Sequence, residues 1–304
     1  MIVKNPIVAD GACILIERIS SDIIISLYRE NLGIDISHYF KGIKEVQINR
    51  CLTTGYRFYT PLNIEGNIEF YEYLGEFDWY YMPWKWEHQK SLKYIKHNDL
   101  VLEIGCGKGD YLKYLMSKGI YCLGLESNIL ATTKGKANGI EIRNEDIESF
   151  SVKNFAKYDV VCSFQVLEHI SAVHEFLRSQ IKCLKKGGKL IISVPNNNSI
   201  LHKRIGSSAL NMPPHHMGLW DKNSLKKLSV VFPELIPTGI FCEPLQDYHF
   251  NLFYIEWLKR YIDPFWGIRS LIYRTKMELI FKGLLRRFAN KLIGHTIFAV
   301  YIKK

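Results

Sequence analysis

Residues 100–110 read Leu100-Val101-Leu102-Glu103-Ile104-Gly105-Cys106-Gly107-Lys108-Gly109-Asp110. The apolar run Leu100–Leu102 predicts a buried strand, and the alternate glycines 105, 107 and 109 predict a tight turn behind it. A turn without side chains lets a ligand lie against the backbone. Tyr111 to Ser117 predicts a helix, whose first N–H groups face the same ligand. Strand, glycine turn and helix together make a nucleotide-cofactor site at the end of a parallel sheet. A plain strand-to-helix connection is the alternative reading of the turn by itself.

The spacing is G-x-G-x-G rather than the G-x-G-x-x-G of dinucleotide binders. A second apolar strand, Tyr121-Cys122-Leu123-Gly124-Leu125, ends in Glu126, placed where an acid accepts hydrogen bonds from both ribose hydroxyls. Tyr158 to Gln165 reads as another strand and leads into Val166-Leu167-Glu168-His169-Ile170. Leu184-Lys185-Lys186-Gly187-Gly188 then turns into an apolar strand ending at Pro195-Asn196. These four motifs, in this order, resemble those of class I S-adenosylmethionine (SAM) dependent methyltransferases.

The resemblance implies an α/β fold: a doubly wound, Rossmann-like, seven-stranded sheet with an N-terminal extension and a C-terminal helical insertion. Strands are expected near 100–104, 121–125, 140–143, 158–163, 189–194 and 236–242, with a closing antiparallel strand at 295–302. It also implies SAM as the cofactor. Glu103, Gly105, Cys106 and Gly107 would cradle the methionine part, and Glu126 and Ser127 would hold the ribose. Asp146 (with Glu145 as the alternative acid) and Ile147 would sit at the adenine, and Phe164 and Gln165 would face the methyl.

Residues 1–90 form the extension, and 91–304 the SAM-binding domain with its insertion at about 243–292. The extension is rich in rings from Phe70 to Trp86. Such a stretch is either a helix packed over the core or a lid over the cleft. Cys51, Phe58, Pro61, Gly66, Phe70-Tyr71, Leu74, Tyr80-Tyr81 and Lys85-Trp86-Glu87 resemble the N-terminal extension of one methyltransferase group. Members often carry a C-x-x-C zinc pair; here Leu52-Thr53-Thr54 follows Cys51, so the pair is broken.

The acceptor side is expected at Asn211-Met212-Pro213-Pro214-His215-His216-Met217-Gly218-Leu219-Trp220, which resembles a loop of the same group on the cofactor side. His215, His216 or His169 would deprotonate a hydroxyl near neutral pH, unless each is a structural hydrogen-bonding residue. Some related methyltransferases hold a divalent ion through E-x-x-E-H and a later histidine. Gln165 replaces the first carboxylate here, and an amide is a poorer ligand for a hard cation. No metal is therefore assigned, with Glu168, His169 and His216 as the residual set.

Composition bounds the rest. The chain has 304 residues, 47% of them hydrophobic, enough for one large domain or one with an appendage. It has no apolar run of spanning length, and its start lacks a signal-peptide layout. Seven cysteines with no C-x-x-C pair point to free thiols in a cytoplasmic setting. Of the net charge of +10, most lies in 251–304, with eleven Lys/Arg against three acids. That segment is either a solvated basic face or a patch for anionic lipid headgroups at the inner membrane face. No RNA-reading module is visible, so nucleic acid is not an expected partner. The expected reaction is O-methylation of a sugar, glycan intermediate or other small polar metabolite. RNA or a quinone-like lipid are the alternative acceptors. A catalytically silent binding subunit is the alternative from another class, and the intact glycine turn and Glu126 argue against it.

Overall fold

The glycine turn lies at the middle of a sheet whose strand order explains its position. The computed structural model describes residues 3–77, 80–199, 208–261, 277–289 and 291–304. The extension contains β1 (Cys13–Ser20), α1 (Ser21–Leu32), β2 (Glu45–Cys51), β3 (Arg57–Thr60), α2 (Ile68–Leu74) and α3 (Trp86–Ser91). The alternating part follows as β4 (Leu100–Ile104), α4 (Asp110–Ser117), β5 (Tyr121–Leu125), α5 (Ile129–Ala137), β6 (Ile142–Arg143), α6 (Ile147–Lys153), β7 (Tyr158–Phe164), α7 (Val173–Cys183) and β8 (Leu184–Pro195). Then come β9 (Gly218–Leu219), β10 (Leu235–Pro244), α8 (Asp247–Tyr261), α9 (Met277–Ala289) and β11 (Ile293–Lys303).

The large sheet runs β10-β11-β8-β7-β4-β5-β6. β4 pairs in parallel with both β5 and β7, while β11 runs antiparallel to β8 and to β10. The chain winds from β4 outward to β6, then returns to β7 on the other side. The reversal leaves a crevice at the carboxyl ends of β4 and β7, where doubly wound sheets bind ligands.

Period-two alternation sorts the central strands onto two buried faces. Leu102, Val161, Leu190, Ile192 and Ala299 face one core; Val101, Val160, Cys162, Ile191 and Val300 face the other. Burial on both faces is why these strands read as continuous apolar runs. The expected strands at 100–104 and 121–125 are observed at those bounds, and the one near 140–143 is only Ile142–Arg143.

The extension is not a detached unit. Its antiparallel sheet runs β1-β2-β3-β9, and β9 comes from just beyond the Pro213-Pro214-His215-His216 loop. Trp220, fully buried, stacks on Tyr56 with ring centroids 4.0 Å apart and fixes that junction. Phe70 and Leu74 of α2 are buried in the extension's core, and Tyr80 and Tyr81 reach the site described below.

In the insertion, Phe250, Phe253, Tyr254 and Leu258 of α8 pack with Ala289 of α9. Its middle part, 262–276, lies outside the described residues, as does Trp79 of the ring-rich stretch. Among the described residues no helix is long and apolar enough to cross a membrane. Cys13 stands opposite Cys51 across the β1–β2 ladder, and all seven cysteines are free thiols.

Candidate functional site

Gly105 and Gly107 adopt left-handed φ values of +70° and +56°, which side chains disfavour. A Cβ on Gly105 would sit 2.4 Å from Val166 Cγ2, and one on Gly107 would sit 3.1 Å from the Tyr81 ring. The N–H groups of Gly105 and Cys106 both donate to Leu125 O, at 2.8 and 3.2 Å, and tie the turn to β5. Glu126 completes the tie: one carboxylate oxygen accepts from Gly107 N and the other from Asn128 N, each at 2.8 Å. Burial pushes the Glu126 carboxyl up, and those N–H groups pull it back.

Glu103, 4% exposed, lies close enough to Glu126 to feel its charge. Its Oε2 is buried without a hydrogen-bond partner. Burial, and then the neighbouring Glu126, push its pKa up to about 8. Two buried carboxylates beside a glycine turn favour a ligand that carries positive charge and hydroxyl donors. SAM has both, in its ammonium and sulfonium groups and in its ribose. The orphaned oxygen of Glu103 fits the ammonium, and the remaining acceptor capacity of Glu126 fits the ribose hydroxyls.

The other expected cofactor residues divide. Ser127 is exposed beside Glu126, with its Oγ 3.5 Å from Oε1. The Cys106 side chain turns inward onto Leu112, Ile140 and Ile142, leaving its backbone to the turn. Asp146 caps α6, accepting from Ser149 N at 2.7 Å and Ser149 Oγ at 3.1 Å, which hold its carboxyl below the usual range. Each of its oxygens thus accepts one hydrogen bond at the cap, and the Ile147 side chain is in the core. The Phe164 ring packs edge-on to His88 and Tyr111, 5.2 and 5.3 Å away, rather than into the crevice. Gln165 does reach the strand end. It holds a left-handed φ of +56°, rare outside glycine, and its amide donates to Glu87 Oε1 at 3.1 Å.

The three expected histidines come together. Ring centroids are 4.5 Å apart for His169 and His215, 4.5 Å for His215 and His216, and 5.0 Å for His169 and His216. The loop is drawn onto the VLEH segment by Met217 N and Gly218 N, which donate to Glu168 O at 2.8 and 2.9 Å. Each Nδ1 faces an oxygen: His169 that of His215 O at 2.6 Å, His215 that of Leu210 O at 2.8 Å, and His216 that of Asn211 Oδ1 at 3.1 Å. Tyr80 OH meets His215 Nε2 at 3.2 Å, and Tyr71 OH donates to His215 O at 3.3 Å. Burial pushes His169 down to about 4 and holds His215 well below the usual histidine range, so both rings are neutral at neutral pH. His169 lines a cleft with Glu65, Ile68, Tyr71, Ile170 and Ser127.

The roles of Glu87, Tyr71, Tyr80, Tyr81 and Asn211 had no independent signal in the sequence. Glu87 is buried at the ends of β7 and β8 with Oε2 unpartnered. Its only mark was its place in Lys85-Trp86-Glu87.

Fold and glycine turn define a class I SAM-dependent methyltransferase. Residues 81–229 match the family described as a methyltransferase domain, and the chain belongs to this class. Among curated relatives it is 28% identical over 172 residues to a ubiquinone biosynthesis O-methyltransferase of Rickettsia canadensis, covering 53% of this chain and 72% of that protein. The protein of the same description from Rickettsia typhi is 28% identical over 176 residues, covering 54% and 70%. Among solved structures, a SAM-dependent methyltransferase from Archaeoglobus fulgidus is 19% identical, with a TM-score of 0.49 over 71% of this chain and 90% of that one.

Proposed function

We propose that the protein transfers the methyl of SAM to a hydroxyl oxygen of a small acceptor, bound in the cleft between α2, His169 and the carboxyl ends of β4 and β7. The observation that carries this reading is the buried histidine cluster, whose His169 lines a cleft together with Tyr71 and Ser127, the neighbour of Glu126. The bound sulfonium supplies an activated methyl that moves in line onto the acceptor. The chain itself aligns the acceptor, excludes water with Tyr71 and Tyr80, and takes up the hydroxyl proton. His169, a neutral imidazole with Nδ1 engaged by His215 O, is the ring of the cluster that lines the cleft and takes that proton.

The acceptor class that fits best is a ring hydroxyl of a quinone-type precursor. The names of the curated relatives support it, and so do the tyrosine and histidine rings of the cleft, which offer flat apolar contact beside polar tips. The relatives' names favour this acceptor over the sugar or glycan intermediate that the sequence put first. Transfer of labelled methyl from SAM to a panel of catechols, phenols and sugars is the test. Product on the catechols supports the reading, and product on sugars alone overturns it.

A quinone-type acceptor with a prenyl tail is reached at a membrane surface, and α9 supports such a contact. Ile280, Leu284 and Phe288 lie on one stripe at a spacing of four, exposed at 62%, 54% and 53%. Arg286 and Arg287 flank that stripe.

A further inference from the structure

We propose that Cys13 and Cys51 form a redox-active pair, two thiols in this structure, which a peroxide closes to a disulfide. The two residues face each other across the β1–β2 ladder. Leu52 N donates to Ala12 O at 3.0 Å. Leu52 follows Cys51 and Ala12 precedes Cys13, so the two cysteines are a non-hydrogen-bonded pair of the ladder. Such pairs bring the Cα atoms to about 4.5 Å and hold the side chains close together on one face. That lies within the span a disulfide bridges, about 4.4–6.8 Å between Cα atoms. Both side chains belong to the same core, Cys51 fully buried in it and Cys13 half-buried at its edge.

The surroundings of the two sulfurs differ in the way such a pair needs. Thr54 N donates to Cys51 Sγ at 3.5 Å. Burial pushes the Cys51 thiol up, yet hydrogen bonds from the Thr54 and Asn5 side chains and the Thr54 and Thr53 backbones outweigh it and hold the thiol below its ordinary value. Of the seven thiols Cys51 alone is held down, and burial pushes up the other six. Peroxide meets Cys13, the member that solvent reaches. The O–O bond breaks, the Cys13 sulfur takes one oxygen as a sulfenic acid, and water leaves. The Cys51 thiolate then attacks that sulfur. The S–O bond breaks, the S–S bond forms, and the departing hydroxide takes the proton that Cys51 lost. Two thiols give up two electrons, and one peroxide becomes two waters. The bridge ties the edge strand β1 to β2 and closes the chain around α1. It also braces the turn after β2, where Cys51 N donates to Tyr56 O at 2.8 Å beneath the Tyr56–Trp220 stack.

The test uses the full-length protein, first reduced and then treated with a slight excess of hydrogen peroxide. Remaining thiols are alkylated, and a digest is read by mass spectrometry without reduction. A peptide pair joined through Cys13 and Cys51, released by dithiothreitol, is the expected result. The bridge constrains the unfolded chain, so the urea midpoint should rise on oxidation and return on reduction. Cys13→Ser and Cys51→Ser should each lose the linked peptide and the midpoint shift. SAM titration of the same samples, expected to match the parent, shows that both variants are folded. Both cysteines still open to alkylation after peroxide would overturn the pair. So would Cys13 carried on to sulfinic acid while Cys51 stays reduced, or a covalent dimer joined through Cys13 of two molecules.

Discussion

The Glu126 carboxylate accepts the Gly107 N–H at 2.8 Å, so the acid closing β5 holds the glycine turn that closes β4. The contact explains why the two features occur together: the acid at the end of β5 also sets the backbone of the turn after β4. Glu126→Ala strands the N–H groups of Gly107 and Asn128 and removes the proposed ribose acceptor. Each lost charged hydrogen bond costs about 1–3 kcal/mol. SAM affinity measured by calorimetry should fall tenfold or more, with Glu126→Gln intermediate. Unchanged affinity in the alanine variant would take Glu126 out of the site.

Glu103 makes cofactor binding depend on pH. Its folded-state pKa is raised to about 8, so in the ligand-free protein the carboxyl is mostly protonated at neutral pH. A cation bound beside it favours the carboxylate and drives the proton off. Affinity for SAM should therefore rise with pH between about 6 and 8 and level off above. Calorimetry in buffers of different ionisation enthalpy should register net proton release near pH 7. Glu103→Gln should bind SAM more weakly and lose the pH dependence, and a variant that keeps it would assign the proton elsewhere.

What was legible in the sequence follows from what each residue type is forced to do. The turn at Gly105 and Gly107 and its tie to Glu126 could be read because a left-handed backbone leaves few substitutes for glycine. The closing strand at 293–303 was legible because it is apolar on both faces. Asp146, expected at the adenine, also caps α6 through Ser149, a second role that its local sequence does not announce. Phe164 was read as facing the methyl, but the parity of β7 turns its ring onto Tyr111. Glu87 and Tyr80 could not be placed, because their roles come from packing an extension over the sheet, and no local pattern encodes that approach. The convergence of His169 with His215 depends on Glu168 O capturing the loop, a contact set by tertiary structure alone.

The histidine cluster should separate turnover from cofactor binding. His215→Ala and His216→Ala remove groups that handle the acceptor and do not touch the glycine turn. Turnover should fall by about 10²–10⁴, the range of lost acid–base assistance, with SAM affinity within a few-fold of the parent. Rates and SAM titrations on each variant check this. Both variants at full activity would eliminate the cluster from the chemistry.

Trp220 joins the extension to the SAM domain through its stack on Tyr56. Fully buried, it leaves a large cavity when truncated. Trp220→Ala should destabilise the protein by about 3–5 kcal/mol in urea unfolding, and Trp220→Phe by clearly less. A cost under about 1 kcal/mol for alanine would mean that the two sheets hold together without it.

The exposed stripe of α9 gives the membrane reading its sharpest test. Apolar surface of this kind is unfavourable in water unless something covers it, and flanking arginines suit an anionic headgroup layer. Neither Ile280, Leu284 nor Phe288 contributes to the buried cluster under α8, so replacing them leaves the fold intact. Sedimentation with vesicles containing phosphatidylglycerol should pull down the parent at low salt, less so at high salt, and not with neutral vesicles. The triple variant Ile280→Glu, Leu284→Glu, Phe288→Glu should lose vesicle binding while keeping the parent's SAM affinity and its activity on water-soluble acceptors. Vesicle binding retained by that variant would move the contact off α9, and no binding by the parent would leave the basic C-terminal part as a solvated face.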